Sequence, residues 1–129
     1  MDSQRQVIST TDAPAALGPY SQAVRAGGFL FCSGQIGLDP DSGRLVDGSV
    51  ADQTQQALEN LAAVCRSAGT SLERAARITV YLARIEDFSA VNAVYERHFG
   101  DDPPARVTVG VAALPAGAEI ALDAVVPLD

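Results

Sequence analysis

SVADQTQQALENLAAVCRSAGTSLERAARITVYL, residues 49–82, carries both repeats of a layered protein in one stretch. Its first part runs at helical spacing, with Leu58, Leu61, Cys65 and Ala68 on one face, as side chains three, four and seven apart must lie in a 3.6-residue helix. Ser49 followed by Asp52 has the form of an N-terminal cap, and Gly69 stands where helices turn left-handed and stop. Between Ala76 and Leu82 the repeat falls to two and β-branched residues take over, so the chain reads as a strand.

Outward from this stretch the alternation continues. Glu86-Asp87 opens a second predicted helix, with Phe88, Val91, Tyr95 and Phe99 on its apolar stripe and Gly100 at its end. Pro103-Pro104 forces an extended chain, and Arg106–Ala112 and Ile120–Val126 read as strands joined at Pro115-Ala116-Gly117. Towards the N-terminus, Gln22–Arg25 and Phe29–Ser33 read as strands turned about Gly27-Gly28, and Gln6–Ser9 as an edge strand. Thr11–Pro19 is a loop ending at Tyr20, and Asp39-Pro-Asp-Ser-Gly43 is a turn. Two helices with one apolar stripe each can cover one face of a mixed β-sheet, which gives an α+β two-layer sandwich. The other face keeps apolar residues uncovered, so association into a ring or barrel is expected.

A chain of 129 residues is expected to be one domain, 1–129, burying roughly two-thirds of its unfolded surface. At 47% hydrophobic and 19% charged it is too apolar for a disordered chain. No apolar run reaches the ~20 residues of a membrane helix, and Met1–Gln6 has neither the basic head nor the apolar stretch of a signal peptide. Cys32 and Cys65 are too few for a disulfide framework, which suits a reducing cytoplasm. A net charge of −7, with nine arginines scattered along the chain, disfavours a nucleic-acid partner.

The composition also restricts the chemistry. There is no lysine for a Schiff base, a single histidine, His98, and no His/Cys cluster for zinc. Neither a Gly-x-Ser-x-Gly elbow nor a glycine-rich phosphate loop occurs. What remains is Arg, Asp/Glu, Tyr, Ser, Thr and the backbone, with no cofactor or metal expected. Alternation puts Arg106, Thr108, Gly110 and Ala112 on one face of their strand and Val107, Val109 and Val111 on the other. The valines are read as the core face, and the small polar face headed by a guanidinium as a pocket for a planar anion. By pattern alone, a solvent-facing strand-end arginine is the commoner meaning. Asp123 lies opposite Ile120, Leu122 and Ala124 in strand parity, which suits either a solvent-facing acid or a positioned acid/base. Tyr20 after Gly18-Pro19, Ser33 before Gly34, and Asn92 at the border of the second helical stripe complete the candidates. Cys32 reads as a small buried hydrophobe, and His98 as a C-terminal helix charge or a rim residue rather than a catalyst.

Four blocks, in this order, resemble the RidA (YjgF-type) family of reactive-intermediate deaminases. They are Ala13–Val24 (APAALGPYSQAV), Phe31–Ile36 (FCSGQI), Asp87–Asn92 (DFSAVN) with Tyr95, and Pro104–Val109 (PARVTV) followed by Leu114-Pro115. The resemblance implies a chorismate-mutase-like sandwich assembled as a homotrimer with sites between subunits. It also implies cofactor-free hydrolysis of 2-imino and 2-enamino acids to 2-oxo acids and ammonia. Carried over, Arg106 grips the substrate carboxylate, Asp123 and the carbonyl of Thr108 position the attacking water, and Tyr20, Ser33, Gly34 and Asn92 line the pocket. The sequence departs from the family where Glu-hydrophobic-Glu is usual in the last strand: Ala121 and Asp123 stand there, and Thr108 replaces a common cysteine. An acid shorter by one methylene shifts the water by about 1 Å, which costs on the order of 100-fold in rate. The competing readings are a non-catalytic sensor of 2-oxo or amino acids in the same pocket and a translation-inhibitor ribonuclease, the latter disfavoured by charge.

Overall fold

The computed structural model describes residues 5–129; Met1–Gln4, which carry most of the leader reading, lie outside the described residues. The elements are β1 (Gln6–Ile8), β2 (Ala23–Ala26), β3 (Phe29–Gln35), α1 (Val50–Ser67), β4 (Arg77–Leu82), α2 (Phe88–Tyr95), β5 (Ala105–Gly110) and β6 (Ile120–Pro127). They form an α+β fold with one mixed six-stranded sheet in the order β1-β2-β3-β6-β4-β5. Among the described residues only β4 and β5 pair in parallel. Among the described residues no helix is long and apolar enough to cross a membrane.

Helix α1 begins where the cap predicts. The Ser49 hydroxyl accepts from the Asp52 N–H at 3.3 Å, and Asp52 Oδ2 accepts from the Ser49 N–H at 2.9 Å, a reciprocal capping box. Gly48 at φ +115° must be glycine, because a Cβ there would strike the Asp52 carboxylate. Leu58, Leu61, Val64 and Cys65 then pack fully buried against Ile78, Val80 and Leu82 of β4 and Ile120, Leu122 and Val126 of β6. Burying each of these aliphatic side chains is worth about 1.5–3 kcal/mol, which holds α1 on this face. On the opposite face a satellite cluster of Ile36, Leu38, Ala118 and Ala121 packs with Tyr81, Leu45 and Leu114.

Two sequence expectations need correction. The second helix is a short 3₁₀ turn at Ile85–Asp87 followed by α2, which ends at Tyr95 rather than Gly100. Phe99 still reaches the core and packs on Tyr95 with ring centroids 4.7 Å apart. Phe88, read as core, is 42% exposed because it starts the helix out at the sheet edge.

The faces of β5 are also the reverse of the prediction. Parallel pairing sets Arg106 beside Ile78 and Thr108 beside Val80, on the face roofed by the helices. Val107 lies beside Thr79 and Val109 beside Tyr81 on the uncovered face, where they are 44% and 38% exposed. Phe29, Phe31 and Val7 are exposed as well. Their register through β2, β3 and β6 puts them on that same open face. Apart from the satellite cluster, this face is therefore apolar and exposed among the described residues, at Val7, Phe29, Phe31, Val107 and Val109.

Candidate functional site

Arg106 sits at the free edge of β5, under α2. Its guanidinium carbon lies 4.7 Å from the Tyr95 ring centroid and 5.4 Å from that of Phe88. Such cation–π contacts contribute about 0.5–2 kcal/mol and keep the guanidinium against the two rings. The ion pair formed among the described residues is Arg84–Asp87 at 3.7 Å, so no carboxylate among them pairs with Arg106. Beside it opens a cleft of about 350 Å³ lined by Asn92, Tyr95, Glu96, Phe99, Pro103 and Pro104. The Tyr95 hydroxyl is buried without a hydrogen-bond partner; burial pushes its ionisation up, against the opposing pull of Arg106.

The backbone of this edge is also open. Ala105 N–H donates to Ala76 at 3.0 Å and Val111 N–H to Leu82 at 2.8 Å, so the odd-numbered residues of β5 turn inward to β4. The same alternation points the N–H and C=O groups of Arg106, Thr108 and Gly110 away from the sheet. The Thr108 carbonyl is thus available at the same edge, two residues along the strand from Arg106. The Thr108 hydroxyl is buried and unpartnered.

A second group of candidates gathers where β3 meets β6. Cys32 pairs with Ala124 and Gln35 with Leu122, so Ser33 and Gly34 together face the single residue Asp123. This β-bulge sets two residues of β3 against the acid, the kind of local re-aiming for which bulges are used. The Ser33 hydroxyl donates to the Ser21 carbonyl at 2.6 Å, fixing β3 to the end of the loop that carries Tyr20. That loop is clamped by the buried Gln22 amide, which accepts from Thr10 N–H at 2.7 Å and donates to the Pro14 carbonyl at 2.8 Å. Tyr20 and Gly34 border a small cavity of about 70 Å³ with Ile36 and Leu38. A Cβ on Gly34 would meet only the Leu122 carbonyl, at 4.0 Å, so the bulge is open to a ligand.

The Tyr81 hydroxyl donates to Asp123 Oδ2 at 2.8 Å. That bond, more than burial, pushes the Tyr81 phenol up from its ordinary range. Sequence reasoning missed Tyr81 because it sits inside a strand of β-branched neighbours. Parity could have found it, since Arg77, Thr79 and Tyr81 form the polar side of β4. Phe88 and Tyr95 were read as helix stripe; their use as plates under Arg106 needed the register of β5.

The candidates thus fall into two groups that do not meet within one chain. Arg106, Thr108 and Asn92 lie on the helix side of the β5 edge; Tyr20, Ser33, Gly34 and Asp123 lie about the bulge. The register of β4 fixes the separation, because Ile78 neighbours Arg106 on one face while Thr79 neighbours Asp123 on the other. Cys32 and Cys65 are buried core thiols, and contact with Cys65 together with burial pushes Cys32 far above the usual thiol range. His98 Nε2 lies 3.0 Å from Gln55 Oε1, past the end of α2 and away from both groups. Among the described residues no group of three His, Cys, Asp or Glu side chains could hold a metal ion.

Residues 10–127 match the family model described as endoribonuclease L-PSP, the YjgF/RidA family. The chain belongs to the RidA family. The human protein named 2-iminobutanoate/2-iminopropanoate deaminase is 48% identical over 121 residues, 94% of this chain and 88% of that protein. Two solved structures superpose closely on this RidA-family chain. RidA from an Antarctic Psychrobacter species has a TM-score of 0.91 at 39% identity, covering 95% of this chain and 98% of its own. Escherichia coli TdcF, crystallised with bound serine, has a TM-score of 0.89 at 35% identity, covering 95% and 98%.

Proposed function

We propose that this chain hydrolyses 2-imino and 2-enamino acids to 2-oxo acids and ammonia, in sites built between copies of itself. The observation that carries the reading is the separation of Arg106 from Asp123 onto opposite faces of one sheet, each with an unfinished surroundings. The β5 edge supplies a cation and outward backbone groups; the bulge supplies an acid, a hydroxyl and an open glycine. A second copy that covers the apolar open face can bring one chain's bulge to the next chain's β5 edge. A closed ring, here a homotrimer in a chorismate-mutase-like arrangement, would make every edge and every bulge meet a partner. The similarity to the human deaminase and to TdcF, whose bound serine bears a carboxylate, supports this substrate class.

In this reading Arg106 takes the substrate carboxylate through paired N–H donors while the Tyr95 and Phe88 rings hold it in place. Asn92 and Tyr20 close around the remainder of the substrate. The iminium carbon is already electrophilic, so one oriented water suffices. Water oxygen bonds to that carbon as the C=N π pair moves to nitrogen, and Asp123 takes the water proton while the Thr108 carbonyl holds the other. Asp123 then passes its proton to the amine nitrogen and the C–N bond breaks. The remaining hydroxyl proton leaves with the ammonia as ammonium, and the 2-oxo acid is formed. No external oxidant or reductant is needed.

The test is to generate 2-aminoacrylate in situ with a dehydratase and follow 2-oxo acid release. Acceleration by micromolar protein is the expected result; none would sink the deaminase reading. Ligand-induced thermal stabilisation that depends on Arg106, without turnover, would point instead to a sensor. A mass measurement in solution equal to one chain would remove the shared site.

A further inference from the structure

The hydrogen bond between Tyr81 and Asp123 does more than satisfy a strand pair. Thr79, not Tyr81, lies directly across from Asp123; Tyr81 is opposite Ala121 and reaches Asp123 on the diagonal. The small side chain at Ala121 leaves its ring room to lean along the strand. The ring is seated in the satellite cluster with Ile36, Leu38 and Ala118, and Ile36 and Leu38 also line the cavity that holds Tyr20 and Gly34. The phenol oxygen is therefore fixed at both ends, by packing behind and by the 2.8 Å bond in front.

A carboxylate has two oxygens, and this contact commits one. An aspartate on an open sheet face can otherwise turn about χ2, exchanging its oxygens and moving the proton-accepting lone pair by more than attack geometry tolerates. We propose that Tyr81 is the positioning residue for Asp123: by holding Oδ2 it presents Oδ1, across the bulge from Ser33 and Gly34, as the atom that takes the proton of the attacking water. This assignment rests on the deaminase reading above. It also gives the short acid of β6 a means of being placed, since an aspartate reaches less far than a glutamate and depends more on its neighbour for direction. In this assignment Tyr81 acts through Asp123, the partner its hydroxyl bonds.

The experiment compares the unaltered protein, Tyr81→Phe, Asp123→Ala and the double variant in the dehydratase-coupled assay with 2-aminoacrylate, alongside thermal midpoints. Tyr81→Phe keeps the ring and its packing, so the fold should persist. The expected result is a fall in kcat of about tenfold with KM unchanged, because the substrate is held by Arg106 and not by Asp123. In the Asp123→Ala background the same change should cost nothing further, as coupled groups are non-additive. Three results overturn the assignment: kcat of Tyr81→Phe within twofold of the unaltered protein, a rise in KM with kcat intact, or an equal loss in both backgrounds, which would mark a structural role. Absence of turnover in the unaltered protein is a different failure; it removes the deaminase reading and this assignment with it. Turnover lost in Arg106→Ala but untouched in Tyr81→Phe leaves the reading standing and removes Tyr81 alone.

Discussion

The β5 edge and the β3 bulge each hold one charged group at a chosen point, and they do it by opposite means. Arg106 is held against the Tyr95 and Phe88 rings, contacts that leave its N–H donors without a committed acceptor on those rings. Asp123 is held through one of its own oxygens by Tyr81, so one of its two oxygens already has a partner. Stacking leaves a two-pronged grip, whereas a hydrogen bond leaves a single working atom. The first suits binding a carboxylate and the second suits taking one proton, which is the division of labour the proposed reaction needs.

Removing the grip should have the largest effect. Arg106→Ala is expected to lower kcat/KM at least about 100-fold in the coupled assay, and Arg106→Lys to restore little, because an ammonium cannot present two parallel donors. A lysine variant with near-normal activity would reduce Arg106 to a plain positive charge and break the contrast. Next in size is complementation. Arg106→Ala and Asp123→Ala chains, each nearly inactive, should recover about a quarter of full activity when refolded together, since random mixing gives that share of sites with both halves intact. If the mixture stays as inactive as its parents, the two halves do not serve a shared site.

Thinning the plates should have a milder effect. Phe88→Leu is expected to raise KM about two- to fivefold and leave kcat alone, the size of one exposed cation–π contact; a change in kcat instead would mean that Phe88 affects the chemistry. The smallest effect concerns pH. Tyr81 ionises later in the folded chain than in the unfolded one because it donates to Asp123. Between the ordinary phenol value and the raised one, the folded state binds more protons. The stability supplied by this bond is therefore present below about pH 10 and is lost as pH rises through the folded value. Urea melts taken above pH 10 should show a shallower decline for Tyr81→Phe than for the unaltered chain, while equal slopes would mean the bond adds no stability.

Much of this was legible in the sequence, and the failures have identifiable physical causes. Helix α1 could be read because its period, its capping pair Ser49 and Asp52, and Gly69 all agree. Ser33-Gly34 stood out as a place of close approach, although the two-against-one pairing with Asp123 could not be seen without the register of β6. The faces of β5 were inverted because apolar residues were equated with core. On an edge strand that rule fails when the apolar side is left for another surface, and Val107 and Val109 are such a case. The divergence of Arg106 and Asp123 was out of reach for a similar reason. Each strand's parity is local, but comparing them requires β4 as a common neighbour, with Ile78 beside one and Thr79 beside the other.

The bulge also acts as a phase shifter. Before it, Leu30 and Cys32 face the helices on even numbers; after it, Gln35 is the buried residue on an odd one. A serine and a glycine in sequence look like the most expendable place in the chain to lose a residue, since short polar stretches in loops usually accept deletions. Here the loss of either would bring the two halves of β3 back into one phase, and Leu30, Cys32 and Gln35 would all keep their inner faces. What would go is the two-against-one pairing opposite Asp123. The two residues with the least side chain between them are therefore dispensable to the strand's packing and matter only where the strand meets the acid.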